Sequence, residues 1–326
     1  MDLIKQIARE SKLPEKYLTA ALQLLDEGNT VPFISRYRKE VTGEMDENQL
    51  RFLEERMAYL RNLEKRKQDV IVSIDGQGKL TSELSEKINK ATILQEVEDL
   101  YLPFRPKRRT RASIAKEKGL EPLANLLLQQ IFTTESLQIA AEGFITEDGS
   151  VEDSAAALAG AQDILAERVA EDADLRTWVR NYTFNQAILK SQAVDAEKIS
   201  DFIGYYDYEE PVLRLPPHRV LALNRGETEG FLKLKLVTPR EYIINRLQLS
   251  YQAPNGSAAA ELVAAVATDG YDRLMTPSIE RDIRTALTEK AQIHAIESFA
   301  ENMRNLLLQP TVRNRIVMGV DPAFRT

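Results

Sequence analysis

Apolar positions recur at helical intervals along most of the chain. Leu3, Ile4, Ile7 and Ala8 form one stripe, and Pro14 opens a second with Tyr17, Leu18, Ala21, Leu22 and Leu25, closed at Gly28. The spacing of Leu50, Leu53, Met57, Leu60, Leu63 and Val70 predicts a long helix from about Asp46 to Ile74, ended by Gly76-Gln77-Gly78. Thr81 reads as the N-cap of a short helix, and a further helix over 94–102 is stopped by Pro103 and Pro106. Ser150-Val151-Glu152-Asp153 has the form of a capping box, with Asp in place of the usual Glu. It opens an alanine-rich helix to about Asp172, and a second helix follows over 175–190.

Two short runs break this pattern. Arg219–Asn224 and Gly230–Val237 read as strands, the second alternating Leu232, Leu234 and Leu236 with Lys233 and Lys235, with 225–229 as the turn between them. After the turn Pro254-Asn255-Gly256 comes a helix over 258–266. Thr276-Pro277 then starts the longest periodic segment, reaching Gln309, a rod of roughly 50 Å at helical rise. Such a rod either braces separate modules or is one long member of a bundle. Arg315 to Pro322 reads as a strand ending in the acid Asp321, with nothing after it to complete a sheet, so a fragment of a longer protein is expected. The expected fold class is mainly α: a multi-helical N-terminal region, a small β-containing insert and a long helix. Four segments are expected: helical 1–190, mixed helical 191–275 with a short β hairpin, the long helix 276–310, and a truncated strand at 315–326.

Composition narrows the chemistry. Cysteine is absent and there are only two histidines, His218 and His294, which excludes disulfides, iron–sulfur clusters, thiolate zinc and multi-histidine metal sites. His218 reads as a loop or packing residue, His294 as an interface histidine and Trp178 as core. No catalytic residue and no cofactor is expected, and the chain is read as non-enzymatic. The N-terminus has no export pattern and no apolar run reaches membrane length, so a cytoplasmic protein with no membrane partner is expected.

A net charge of −7 makes the whole chain no generic polyanion binder, which sharpens the contrast with one segment. Phe104 to Lys118 holds seven basic residues and one acid. Prolines keep its start extended, and guanidinium forks match phosphate oxygens bidentately. Arg105, Lys107, Arg108, Arg109 and Arg111 are therefore the leading candidates for phosphate contacts. The competing reading pairs them with the acidic stretch Glu147–Asp174, nine acids and one base. Arg36, Arg38 and Lys39 flank Tyr37 and form a second candidate group. There the i, i+1, i+4 spacing of Phe33, Ile34 and Tyr37 favours a helix face packed on a core, with Glu40 and Glu44 within reach of the bases. Glu96-Val97-Glu98-Asp99 reads as a source of salt-bridge partners for nearby arginines.

Four blocks carry a resemblance over nearly the whole chain. They are Thr30-Val31-Pro32-Phe33-Ile34-Ser35-Arg36-Tyr37-Arg38-Lys39-Glu40-Val41-Thr42-Gly43, then Glu98 to Ala112 running on to Ala124, then His218 to Glu227, and Val317 to Pro322. In this order they resemble the bacterial transcription accessory protein Tex family. That resemblance implies a helix-turn-helix-like element in the helical N-terminal region and a long central helix, followed by an RNase H-like (YqgF-type) domain, a helix-hairpin-helix region and an S1 RNA-binding domain. It also implies kinship with a eukaryotic elongation factor and histone chaperone, and association with RNA or DNA and the transcription machinery. The implied role is a scaffold that positions downstream nucleic-acid-binding domains, with auxiliary phosphate contacts. Two alternatives stay open: a protein-docking module without nucleic-acid contact, and part of a metal-dependent nuclease whose site begins at Asp321.

Overall fold

The computed structural model describes residues 3–106, 109–129, 131–147, 149–310 and 314–320. The chain divides into two compact units, 1–114 with 171–177, and 115–170 with 178–326.

The first unit is built along one helix. Here α1 (Leu3–Ser11), α2 (Glu15–Asp26), α3 (Val31–Tyr37) and α4 (Lys39–Thr42) precede α5 (Glu47–Asp75), and α6 (Ser82–Lys90) and α7 (Leu94–Tyr101) follow it. The buried positions of α5 advance by three or four from Leu50 to Ile74, so one stripe serves its whole length. Its first half joins Ile7, Leu18, Leu22 and Ile34 in one core; its second half joins Ile88, Val97 and Tyr101 in another. The expected caps are present. Asp46 accepts from the Gln49 amide at 2.8 Å, and Thr81 from the Leu84 amide at 3.2 Å. Lys67 falls on the same stripe and is buried, its ammonium held by Glu64 at 2.7 Å and the Asn89 carbonyl at 3.1 Å.

The second unit contains α9 (Glu121–Gln129), α10 (Thr134–Glu142), α11 (Ser154–Glu171), the sheet, and α13 (Pro217–Thr228) to α16, while α8 (Arg111–Glu117) and α12 (Ala173–Gln186) each contribute residues to both units. Helix α11 begins three residues later than the capping-box reading placed it: Asp153, not Ser150, accepts from the third amide, Ala156, at 2.7 Å. Gly160 on α11 lets Leu120 approach; a Cβ there would lie 2.4 Å from Leu120 Cδ1. Helix α12 stops at Gln186, short of the expected Lys190, because Ile188–Ala193 is β1. This strand pairs antiparallel with both β2 (Asp207–Pro211) and β3 (Leu232–Val237), giving the order β2-β1-β3.

The alternation of β3 is as expected, with Leu232, Leu234 and Leu236 inward and the lysines outward. The other expected strand is corrected: Arg219–Asn224 lies inside α13, where Pro217 occupies the first turn and Val220 and Leu223 are buried three apart. The hairpin partner of β3 is β1. Helices α14 (Arg240–Ser250) and α15 (Ala260–Asp269) lead through a π-helical turn, Gly270–Met275, into α16 (Thr276–Leu307). Ile279, Ile283, Leu287 and Ala291 bury the first half of α16; from Gln292 onward every position is exposed. Glu280 accepts from the Leu236 amide at 3.1 Å and Glu227 from the Leu234 amide at 3.4 Å, both on the outer edge of β3. Residues 315–320 form no strand, and Asp321 and Pro322 lie outside the described residues.

Candidate nucleic-acid interface

Helix α3 owes its placement to Ile34, fully buried, and half-buried Phe33. The core face ends there. Tyr37, expected on that face, is 65% exposed and leans on Phe33 with ring centroids 5.3 Å apart. The buried positions of α3 are Val31, Ile34 and Ser35, spaced i, i+3 and i+4, and Tyr37 lies off that face. Arg38 sits over the other side of this pair, its guanidinium 5.2 Å from the Phe33 ring and donating to the Tyr37 carbonyl at 3.0 Å. Arg36, Arg38 and Lys39 are exposed and make no ion pair among the described residues; Glu40 and Glu44 do not reach them.

The basic run starts where a short 3-10 turn, Leu102–Phe104, ends α7. Gln77, just past α5, donates to the Phe104 carbonyl at 2.9 Å and pins that start. Arg105, Arg109 and Arg111 are exposed, and Arg105 and Arg111 make no ion pair among the described residues. Lys107 and Arg108 lie outside the described residues. The end of the run behaves differently: Lys116 lies 3.7 Å from Glu167 and Lys118 donates to the Ser150 carbonyl at 2.5 Å. The acidic stretch thus engages the lysines that close the run.

The two basic groups do not form one site. Ser35 in α3 meets Glu47 at the start of α5 at 3.5 Å, whereas the 105–111 run is tied to Gln77 beyond its end. About 30 residues of helix at 1.5 Å each put the groups roughly 45 Å apart along α5.

Four arginines of this unit are matched to carboxylates, whereas Arg9 and Arg51 make no ion pair among the described residues. Arg56 forks Glu10 at 2.7 Å twice, and Arg61 forks Asp26. These hydrogen bonds hold the Glu10 and Asp26 carboxyls below their usual range, with burial opposing. The acidic cluster after Thr92 supplies partners as expected, but to distant arginines: Glu98 to Arg66 at 2.6 Å and buried Asp99 to buried Arg176 at 3.2 Å. Glu96 instead accepts from the Thr92 amide at 2.7 Å.

Both histidines are exposed; His218, expected as a loop or packing residue, lies in the first turn of α13, and His294 lies on α16. Among the described residues no group of three His, Asp or Glu is placed to hold a metal ion. No helix among them is long and apolar enough to cross a membrane.

Sequence reasoning passed over one arrangement. Trp178, read as core, is half-buried and stacks on Tyr182 one turn along α12, with centroids 5.2 Å apart and planes at 17°. Tyr242 of α14 completes a triangle of rings, 5.0 Å from Tyr182 at 23° and 6.2 Å from Trp178 at 38°. Arg246, one turn after Tyr242, holds its guanidinium 6.0 Å from the Trp178 ring. The i, i+4 spacings 178/182 and 242/246 were the legible sign.

The architecture is a mainly α protein with a three-stranded insert and displayed arginines. Residues 1–75 match the Tex-like protein N-terminal domain, and residues 133–299 match the Tex central region. YdcI of Bacillus subtilis (strain 168) is 44% identical over 99% of this chain and 45% of its own length. The transcriptional accessory protein Tex of Neisseria gonorrhoeae is 39% identical over all of this chain and 43% of its own. The human S1 RNA-binding domain-containing protein 1 is 26% identical over 99% of this chain and 34% of its own. The chain belongs to the Tex family, and it spans less than half the length of these curated relatives.

Proposed function

We propose that this chain is a non-enzymatic scaffold region of a transcription accessory protein, positioning nucleic-acid-binding domains of the longer protein and adding phosphate contacts of its own. The names of the relatives from Neisseria gonorrhoeae and human supply transcription and RNA as the setting. The observation that carries the phosphate reading is the clustering of unmatched cations in two short runs of the first unit. Arg56, Arg61, Arg66 and Arg176 are each matched to a carboxylate, whereas Arg36, Arg38, Lys39, Arg105 and Arg111 are exposed with no such partner among the described residues. A phosphate oxygen meets an unmatched guanidinium without displacing an internal acid. The helix-turn-helix-like role of α1–α3 and any contact with the transcription machinery belong to the same proposal.

The test is anisotropy of labelled single-stranded RNA and duplex DNA over a salt series. Arg105→Glu/Arg111→Glu should weaken binding and reduce the slope of log K against log salt by about 1.4 on single strands and about 1.8 on duplex, two phosphate contacts' worth. Unchanged affinity and slope in that variant, or no binding by the unmutated chain, overturns the phosphate reading and leaves a protein-docking scaffold.

A further inference from the structure

The outward face of α14 is unusual for a helix that needs only to pack. Ile243, Ile244 and Leu247 bury one side. The other carries Tyr242, 57% exposed, then Asn245, Arg246 and Leu249, all exposed at intervals of three and four. Tyr182 and Trp178 both lie against the Tyr242 ring, which still keeps more than half of its residue surface open to solvent. Arg240, the first residue of the helix, is neutralised by Asp272, but Arg246 makes no ion pair among the described residues. Beyond Arg246 the helix borders a groove of about 410 Å³ in which Asn245, Gln252 and Asn255 present amide groups. Asn245 and Asn255 make no side-chain hydrogen bond among the described residues.

We propose that Trp178, Tyr182, Tyr242 and Arg246 form a stacking platform for the unpaired bases of a single-stranded nucleic acid, with the amide-lined groove receiving the edge of the next base. This rests on the nucleic-acid reading above but on a separate set of residues. A base laid against the exposed part of Tyr242 joins a cluster of three rings already in mutual contact. Tyr182 holds the receiving ring in place, so little side-chain freedom is lost on binding. Every base has a π face and the stack tolerates sequence; Arg246 supplies the cation that such platforms pair with rings or with phosphate. Asn amides offer both donor and acceptor, which suits base edges of either polarity. Duplex DNA presents no free base face and is not a ligand here.

Trp178 is the single tryptophan of the chain, which makes it the reporter. The 326-residue chain is titrated with oligodeoxythymidylate while Trp178 emission is followed, with a duplex of equal length and a proline-rich peptide as comparators. The expected result is saturable quenching by the single strand alone. Tyr242→Leu should weaken binding by between about fivefold and a hundredfold, Arg246→Gln should weaken it too, and Tyr242→Phe should preserve it, since stacking needs the ring and not the hydroxyl. Circular dichroism confirms that each variant is folded. Quenching by the peptide instead of the oligonucleotide, or Tyr242→Leu binding as tightly as the unmutated chain, overturns the platform. The Arg105→Glu/Arg111→Glu variant separates the two readings. Quenching that survives in it and disappears in Tyr242→Leu supports the platform even where the arginine reading fails. Anisotropy lost in it while Trp178 emission never moves overturns the platform alone.

Discussion

Asp99 and Arg176 join α7 to the first turn of α12 across 77 residues of sequence, at 3.2 Å, with side chains only 3% and 7% exposed. At that depth water cannot replace a lost partner. Asp99→Ala takes a carboxylate from a buried guanidinium, and the expected cost is about 1–5 kcal/mol, against about 0–1 for an exposed pair. The second arm removes both charges: Asp99→Leu/Arg176→Met exchanges the pair for apolar groups of similar reach and should lie within about 1 kcal/mol of the parent or above it. Urea unfolding by far-ultraviolet circular dichroism and Trp178 emission measures both arms, read as shifts in midpoint at unchanged slope. A loss below about 1 kcal/mol for Asp99→Ala would show the pair to be hydrated and refute the reasoning. A double variant as damaged as the single one would refute it as well, by locating the cost in shape and not in charge.

Three further outcomes are expected. Glu10 and Asp26 are held below their usual range by Arg56 and Arg61, so the stability they contribute is present above about pH 5 and drains away as pH falls through their folded values; Arg56→Gln/Arg61→Gln should flatten that acid limb in urea midpoints measured from pH 7 to pH 3. Gly160→Ala should cost about 1–2 kcal/mol, since overpacking against buried Leu120 exceeds the helix gain, and Leu120→Val in the same chain should recover part of it; a more stable Gly160→Ala protein would contradict the close approach. Tyr37→Ala should change stability by no more than about 0.5 kcal/mol while Ile34→Ala costs about 2–5, and equal losses in thermal melts would mean that Tyr37 packs on the core after all.

What could be read from the sequence divides along physical lines. Helix α5 was legible from end to end because 29 residues repeat one apolar stripe between a clear cap and two glycines. Strand β1 was not, because Ile188-Leu189 follows a helix with no glycine or proline between them, and a short apolar run has no period of its own. The same ambiguity turned Val220-Leu221-Ala222-Leu223 into an expected strand; Pro216-Pro217 before it was the better guide to α13. At the candidate sites, the density of positive charge was visible at once. Which arginines are matched was not, since Arg66 finds Glu98 32 residues away and Arg176 finds Asp99 from farther still. The separation of the two basic groups followed from one long helix, but only once Ser35 and Gln77 were seen at its opposite ends.

The two glutamates on the outer edge of β3 have a consequence for assembly. An exposed strand edge is a template on which any passing extended segment can be copied into register. In this sheet the amides of Leu234 and Leu236 are already occupied by Glu227 and Glu280, and Glu227 is itself gripped by Arg284 from α16. An incoming strand must evict two carboxylates, one of them held by a guanidinium, before it can pair with these two amides. The β3 edge of the sheet is therefore guarded by ions at the two leucine amides where a copied strand would register.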